Sequence, residues 1–323
     1  MKSYLLFPLL LGILASGCSG LTDPEAGNGD RIIYNEVDSN KSYISSIGTD
    51  GRENRRITEG VYMLTSPAGG RMMYMKIDSA RRLVTAKIDG SDLHEIYNDF
   101  IRGSISPDGR HVIYVVLSAG QHNSFLVNID GTDKREIVNN DCGCRDDFSP
   151  DSRSYSLNSR GALYVGDVAT ASTHSIVSVD SAHQITESAW SPLGNAIMYV
   201  VDDTTSLMGS TIYIADPDGG HQRATYSGAT LSEIEWSRDG RKVAFIQGER
   251  LWVMNADGTG LKPLTDGSPA VQGFRVQWSA DNRRIVFTED QISSRNSCVA
   301  IVDVETDAVA VVAPSGYAGF FAR

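Results

Sequence analysis

Three observations predict an all-β chain folded as a seven-bladed β-propeller of four-stranded antiparallel blades, with six blades as the alternative count. The first is a repeat. Trp236-Ser237-Arg238-Asp239-Gly240-Arg241-Lys242-Val243-Ala244-Phe245 sets an aromatic, a polar turn and a strand in succession, and the pattern recurs at Ser66, Ser106, Ser149, Ser191 and Ser279. The gaps between these serines are 40, 43, 42, 46 and 42 residues, the spacing of propeller blades. The second is a further turn in each unit, usually Asp-Gly after an apolar strand, as in Leu251 to Gly258; this is a strong hairpin signal. The third lies at the two ends. Asp30 to Thr58 reads as strands two, three and four of a blade without a first strand, while Tyr317 to Arg323 follows a finished fourth strand and has nowhere local to pair.

Taken in order, each unit justifies its strands. The position before the serine holds Thr65, Ile105, Phe148, Trp190, Trp236 and Trp278; eight residues after it stand Tyr74, Tyr114, Leu157, Tyr199, Phe245 and Phe287. Large apolar side chains on both sides of a turn suit two antiparallel strands packed between neighbouring sheets. Asp108, Asp151, Asp239 and Asp281 can bond backbone amides of the turn, and Gly69, Gly109, Gly194 and Gly240 supply positive φ. Third strands end at turns in Tyr43 to Gly51, Val84 to Gly90, Phe125 to Gly131, Leu163 to Val168, Ile212 to Gly219 and Val299 to Thr306. Short fourth strands follow, such as Ile57-Thr58, Glu95-Ile96-Tyr97, Glu136-Ile137-Val138 and Pro263-Leu264-Thr265. If the C-terminal strand joins the three N-terminal ones, six units and one composite blade make seven, and closure leaves no inner sheet edge exposed.

Before the repeats, Met1-Lys2 leads into an apolar run from Tyr4 to Leu14 and then Ala15-Ser16-Gly17-Cys18. The run is too short to span a bilayer, and its basic start and small-residue end fit a secretory leader. Small residues directly before a cysteine resemble the bacterial lipoprotein signal, with Ala15 where that signal usually has Leu. The resemblance implies cleavage after residue 17 and lipidation of Cys18. Residues 18–29, rich in Gly, Ser, Asp and Pro, then form a flexible tether, and residues 30–323 the propeller. A formal charge of −11 with no basic run argues against nucleic acid as a partner.

The Ser-Pro-Asp-Gly-Arg core, intact at Ser106 to Arg110 and varied at the other five sites, resembles the WD-like repeat of the TolB propeller family. The resemblance covers about residues 30–323. It implies a non-enzymatic, monomeric protein-binding platform in the bacterial cell envelope, with an envelope protein as partner, the membrane met only through the lipid, and no cofactor. TolB itself has a separate N-terminal α/β domain and a six-bladed ring. This chain has only the tether before its first blade, so TolB's own partners do not transfer.

Other chemistries are weaker. Peptidases capped by similar propellers need a Gly-x-Ser-x-Gly elbow, and no such pentapeptide occurs. Oligogalacturonate lyases resemble seven-bladed rings of the same kind and hold a divalent metal through His and Gln, so a metal-dependent lyase is the alternative function. The six histidines, His94, His111, His122, His174, His183 and His221, are scattered over several blades. His183-Gln184 before the fifth inner strand and Gln121-His122 in a loop are the pair of segments able to share a face. Asp216-Pro217-Asp218-Gly219 starts like a calcium loop but lacks the distal Glu, and it reads as a hairpin turn. Cys142-Gly143-Cys144 is a candidate strained disulfide ahead of the fourth inner strand, and Cys298 is expected to be buried as a small hydrophobe.

The candidate binding face is the channel mouth, formed by charged or polar residues expected just before the inner strands: Arg102, Arg145, Asp146, Asp147, Glu187, Glu233, Glu235, Arg275 and Gln277. Solvated strand ends fit the same pattern. Charge reversal at Asp146 and Glu235 is expected to weaken partner binding without unfolding the domain.

Overall fold

The computed structural model describes Tyr4–Leu5 and residues 31–322, apart from 39–40, 67–69, 78–80, 99, 119–120, 140–145, 160, 206–208, 269 and 292–295. The described strands form seven four-stranded antiparallel sheets, one per blade. Blade 1 is composite, in the order Tyr317–Ala322, Arg31–Asp38, Lys41–Gly48 and Arg55–Glu59. Blades 2 to 7 open on inner strands Val61–Thr65, Phe100–Ile105, Asp147–Phe148, His183–Trp190, Leu231–Trp236 and Val271–Trp278, each followed outward by three more. Tyr4–Leu5 runs parallel to Val309 and Ala310 at the outer edge of blade 7.

The second strand of each blade is buried on both faces, which explains the apolar runs there; blade 4 alone among the described second strands alternates, with buried Ser156 and Asn158 interleaved with Tyr155 and Leu157. Ile32-Ile33-Tyr34, Val112 to Val116, Ile197 to Val201 and Val243 to Ile246 are all buried, because a blade in the ring has a neighbour on either side. The core is accordingly divided into six clusters that span adjacent blades. Tyr74, Tyr114, Leu157, Tyr199, Phe245 and Phe287, the residues picked out eight places after each serine, are at most 1% exposed, and Tyr34 fills the equivalent place in blade 1.

Each serine turn is closed by the same bond. The serine N–H donates to the carbonyl five residues on, at 2.8–2.9 Å, in all six copies. In blades 3, 4, 6 and 7 the serine hydroxyl accepts from the amide five residues on and donates to the aspartate two residues on. The aspartate in turn accepts from the amide two residues beyond it. The repeated serine is therefore a turn residue. Positive φ at the fourth turn position comes from Gly109, Gly194 and Gly240, but from Ser152 and Asn282 in blades 4 and 7; Gly69 lies outside the described residues.

Blades are also tied to one another. The Ser66 hydroxyl donates to Pro107 O and that of Thr85 to Ile129 O, both at 2.7 Å, and Lys262 Nζ reaches Val304 O and Asp307 Oδ1. Gly219, at φ 86°, lies so close to blade 4 that a Cβ there would stand 2.2 Å from Ile176 O, so only glycine fits.

Candidate binding site in the central channel

The inner strands do not run straight. In blades 1, 2, 3, 5, 6 and 7 their pairing with the second strand slips register, so each carries a bulge where it lines the channel. The bulge of blade 6 holds Glu233 at φ 55°, and that of blade 7 holds Arg275 at φ 28°. Neither residue is a glycine, and such backbone is held only where its surroundings over-determine it.

The bulges bear on the sequence expectation. Arg102, Asp147, Glu187, Glu233, Glu235, Arg275 and Gln277 lie within inner strands, not ahead of them, and only Asp146 immediately precedes one. Extra residues in each bulge lengthen the inner strand toward its start and draw these positions into the channel wall. Arg145, Cys142 and Cys144 fall outside the described residues, as does Cys18.

Several of these side chains clip one inner strand to the next. Both oxygens of Glu187 accept backbone N–H bonds from blade 6, Oε1 from Glu233 at 2.9 Å and Oε2 from Ile234 at 3.0 Å. Asp147 Oδ1 accepts from Phe148 N and Oδ2 from Trp190 N in blade 5. Gln277 Oε1 accepts from Phe321 N at 2.7 Å, tying blade 7 to the composite blade. The indole N–H groups join in, Trp236 Nε1 donating to Ala189 O and Trp278 Nε1 to Glu235 O. Sequence reasoning found the residues but missed this use. The available signal was a carboxylate or amide about one repeat ahead of a free strand amide.

Asp146 differs. Its side chain is 1% exposed, and its nearest charged neighbour is Arg102, with Nε 3.8 Å from Oδ2. Burial pushes its pKa up to about 6; the Arg102 charge pulls down, Asp147 pushes up, and Arg275 pulls down. A reversal at this buried position would bear on stability as well as on binding, unlike one at the half-buried Glu235. Away from the channel, Glu289 in blade 7 is also buried, and desolvation with the Asp266 charge raises its pKa to about 7.

A cavity of about 370 Å³ occupies the channel at its serine-turn end. Asp147, Glu235, Arg275 and Gln277 reach it, together with Phe148, Trp190, Trp236 and Phe320, and its rim carries Pro107, Pro150, Pro192 and Arg238 from the turns. Arg102, Asp146, Glu187 and Glu233 are not part of its lining. A second groove, between the outer strand of blade 2 and the second strand of blade 3, is walled by Tyr97, Val116 and Leu117.

The histidines do not gather. His94 pairs with Asp92, His183 with Asp180 and His221 with Asp216, each a local contact, and no group of three His, Cys, Asp or Glu suited to a metal occurs among the described residues. His183-Gln184 and Gln121-His122, expected in loops, lie in strands His183–Trp190 and Gln121–Asn128, whose edges extend to the hairpin ends. In the Asp216 to Gly219 turn, Asp218 Oδ1 accepts from Gly220 N, as in a hairpin turn. Cys298 is fully buried in blade 7, as expected of a small hydrophobe.

The ring of serine-turn blades around a polar channel defines a repeat propeller. A sequence model described as the TolB beta propeller domain matches residues 69–313, and the chain belongs to that family. No curated protein matches it in sequence. Among solved structures it is similar to an oligogalacturonate lyase in complex with manganese, with TM-score 0.64 and 14% identity over 82% of this chain and 84% of that one. It is also similar to TolB from Acinetobacter baumannii, with TM-score 0.57 and 14% identity over 90% of this chain and 81% of that one. A putative 6-phosphogluconolactonase from Bacteroides uniformis gives TM-score 0.62 and 13% identity over 90% and 99%. At such identities the likeness is one of fold, and proteins of quite different titles share it.

Proposed function

We propose that this chain is a non-enzymatic binding propeller of a bacterial cell envelope. It is exported by its N-terminal leader, held to a membrane by acyl chains on a lipidated Cys18, and receives a protein partner at the central channel. The observation that carries the reading is where the repeats differ. Turns, second strands and inter-sheet aromatics recur from blade to blade, whereas the channel wall changes its charge and size in every blade. Such divergence on a repeated scaffold is how propellers present a specific surface. Family membership and the leader ending at Cys18 support the envelope location. One acyl chain gives marginal membrane binding and several give stable anchoring, so a lipidated N-terminus suffices without a spanning helix.

The test is affinity purification of the full-length protein from membranes, with Cys18→Ala and Glu235→Lys variants alongside. The expected result is an envelope protein that co-purifies with the wild type, is lost with Glu235→Lys, and a Cys18→Ala variant that leaves the membrane fraction. Formation of unsaturated products from oligogalacturonate with added Mn²⁺ would overturn the non-enzymatic reading, and retention of Cys18→Ala on membranes would overturn the anchor.

A further inference from the structure

The outer edge of blade 7 differs from the other outer edges of the ring. Outer strands share a device: each slips register against the third strand at one residue, Ile57, Ile96, Ile137, Ile176 and Thr225 in blades 1 to 5 and Val312 in blade 7. Two places before that residue stand Arg55, His94, Arg135, His174 and Arg223, but Ala310 in blade 7. Blade 6 has only Lys262–Pro263 as its outer strand. An edge strand offers unpaired N–H and C=O groups, and charged side chains, proline and shortness keep other strands off it. Val309–Ala313 reads Val-Ala-Val-Val-Ala, with no polar side chain and no proline.

That edge carries a strand. Tyr4 pairs with Val309 and Leu5 with Ala310, in parallel, which makes blade 7 the one five-stranded sheet among the described residues. The glycine turn of the next blade packs on the slipped residue, so closely that a Cβ on Gly51 would stand 3.3 Å from Val312 O. The length of edge left for a further strand is therefore 309–311, and Tyr4 and Leu5 lie along it. A strand added to such an edge is held by main-chain hydrogen bonds, and its side chains meet those of the edge residues, which here are all apolar.

We infer that the outer edge of blade 7 is a docking site for an extended apolar segment of a partner protein, which joins the blade as a parallel fifth strand. The leader's own Tyr4 and Leu5 display the chemistry that the edge accepts, an aromatic and an aliphatic side chain on an extended backbone. Removal of the leader, as proposed above, opens the edge, so the precursor carries its own cover and the mature protein does not. The site lies on the outer wall of the ring, apart from the central channel, and adds a second place of contact to the one proposed there.

The experiment is hydrogen exchange on the full chain and on a full-chain variant with Tyr4→Asp and Leu5→Asp, which vacates the edge without shortening the protein. Amides at 309–311 are expected to exchange about ten-fold faster in the variant. A synthetic peptide of residues 2–8 is expected to restore their protection. The same peptide N-methylated at its Tyr4 and Leu5 positions, and so lacking the ladder N–H groups, is not. Ala310→Arg in the vacated variant installs the residue that blades 1, 3 and 5 use; it is expected to keep the melting temperature and to weaken peptide binding about ten-fold. The inference is overturned if 309–311 exchange alike in both proteins, if the N-methylated peptide protects equally, or if a folded Ala310→Arg variant binds the peptide like its parent. Self-association of the vacated variant through 309–311, in place of peptide binding, assigns the edge to a second copy and overturns the partner segment. Should Ala310→Arg fail to fold, the N-methylated peptide decides. None of these measurements touches Glu235 or Cys18, so the channel and the anchor fail separately from the edge.

Discussion

The serine turns and the channel wall are built from neighbouring residues of the same inner strands, yet they behave as opposites. In the turns, one set of bonds recurs: serine amide to carbonyl, serine hydroxyl to aspartate, aspartate to amide. In the wall, no two blades match: Glu187 grips two amides of blade 6, Gln277 grips one of blade 1, and Asp146 is buried beside Arg102. A contact made inside one turn can be copied with the repeat. A contact between blades depends on both partners, so it can vary and specialise from one junction to the next.

Four measurements would break or sharpen that contrast. The largest effect is expected where turn and wall meet. Trp278 is fully buried between blades 6 and 7, and Trp278→Ala should cost about 3–5 kcal/mol in urea unfolding. A loss no greater than that of a turn serine would show that the ring does not depend on its inter-blade aromatics. Next comes Glu187→Ala, which strands two backbone N–H groups; about 2–3 kcal/mol is expected. An unchanged unfolding midpoint would mean that water replaces the clip.

Asp146→Asn should act with the opposite sign. Its pKa is raised from 3.8 to about 6, so the folded protein holds a proton more tightly than the unfolded chain. Stability from this group is present at low pH, is lost as pH rises from about 4 to about 6, and is flat above. Asparagine should therefore stabilise the fold at neutral pH by about 2 kcal/mol and remove that part of the pH slope. A variant less stable than wild type at neutral pH would show that attraction to Arg102 outweighs burial. The smallest effects belong to the turns: Ser237→Ala and Ser279→Ala should each cost about 1 kcal/mol, and nearly equally. Widely different values would end the idea that the turns are interchangeable.

The sequence made the fold readable because its signals are local and repeated six times. The serine turn reports contacts within one unit, the large residues just before and eight places after the serine mark a packing position that every unit repeats, and the unpaired ends at Arg31 and Tyr317 reveal the composite blade. The wall was only half readable. Charges at Glu187, Asp147 and Gln277 marked inner-strand positions as unusual, but their partners lie in the next blade, 43 to 47 residues away. The bulges escaped notice for a different reason. Positive φ is normally announced by glycine or asparagine, and here it falls on Glu233 and Arg275.

The composite blade governs when the protein can become itself. Tyr317–Ala322 pairs with Arg31–Asp38, and Ser315 bonds Val37 across 278 residues of chain. Contacts so distant in sequence are slow to form, because a long loop must be closed before any of them can stabilise the ring. Whatever order the other blades follow, the circle stays open until its last strand arrives. Removing Tyr317–Ala322 should therefore leave an arc whose first blade lacks its inner strand, and that arc should be digested by protease far faster than the closed ring.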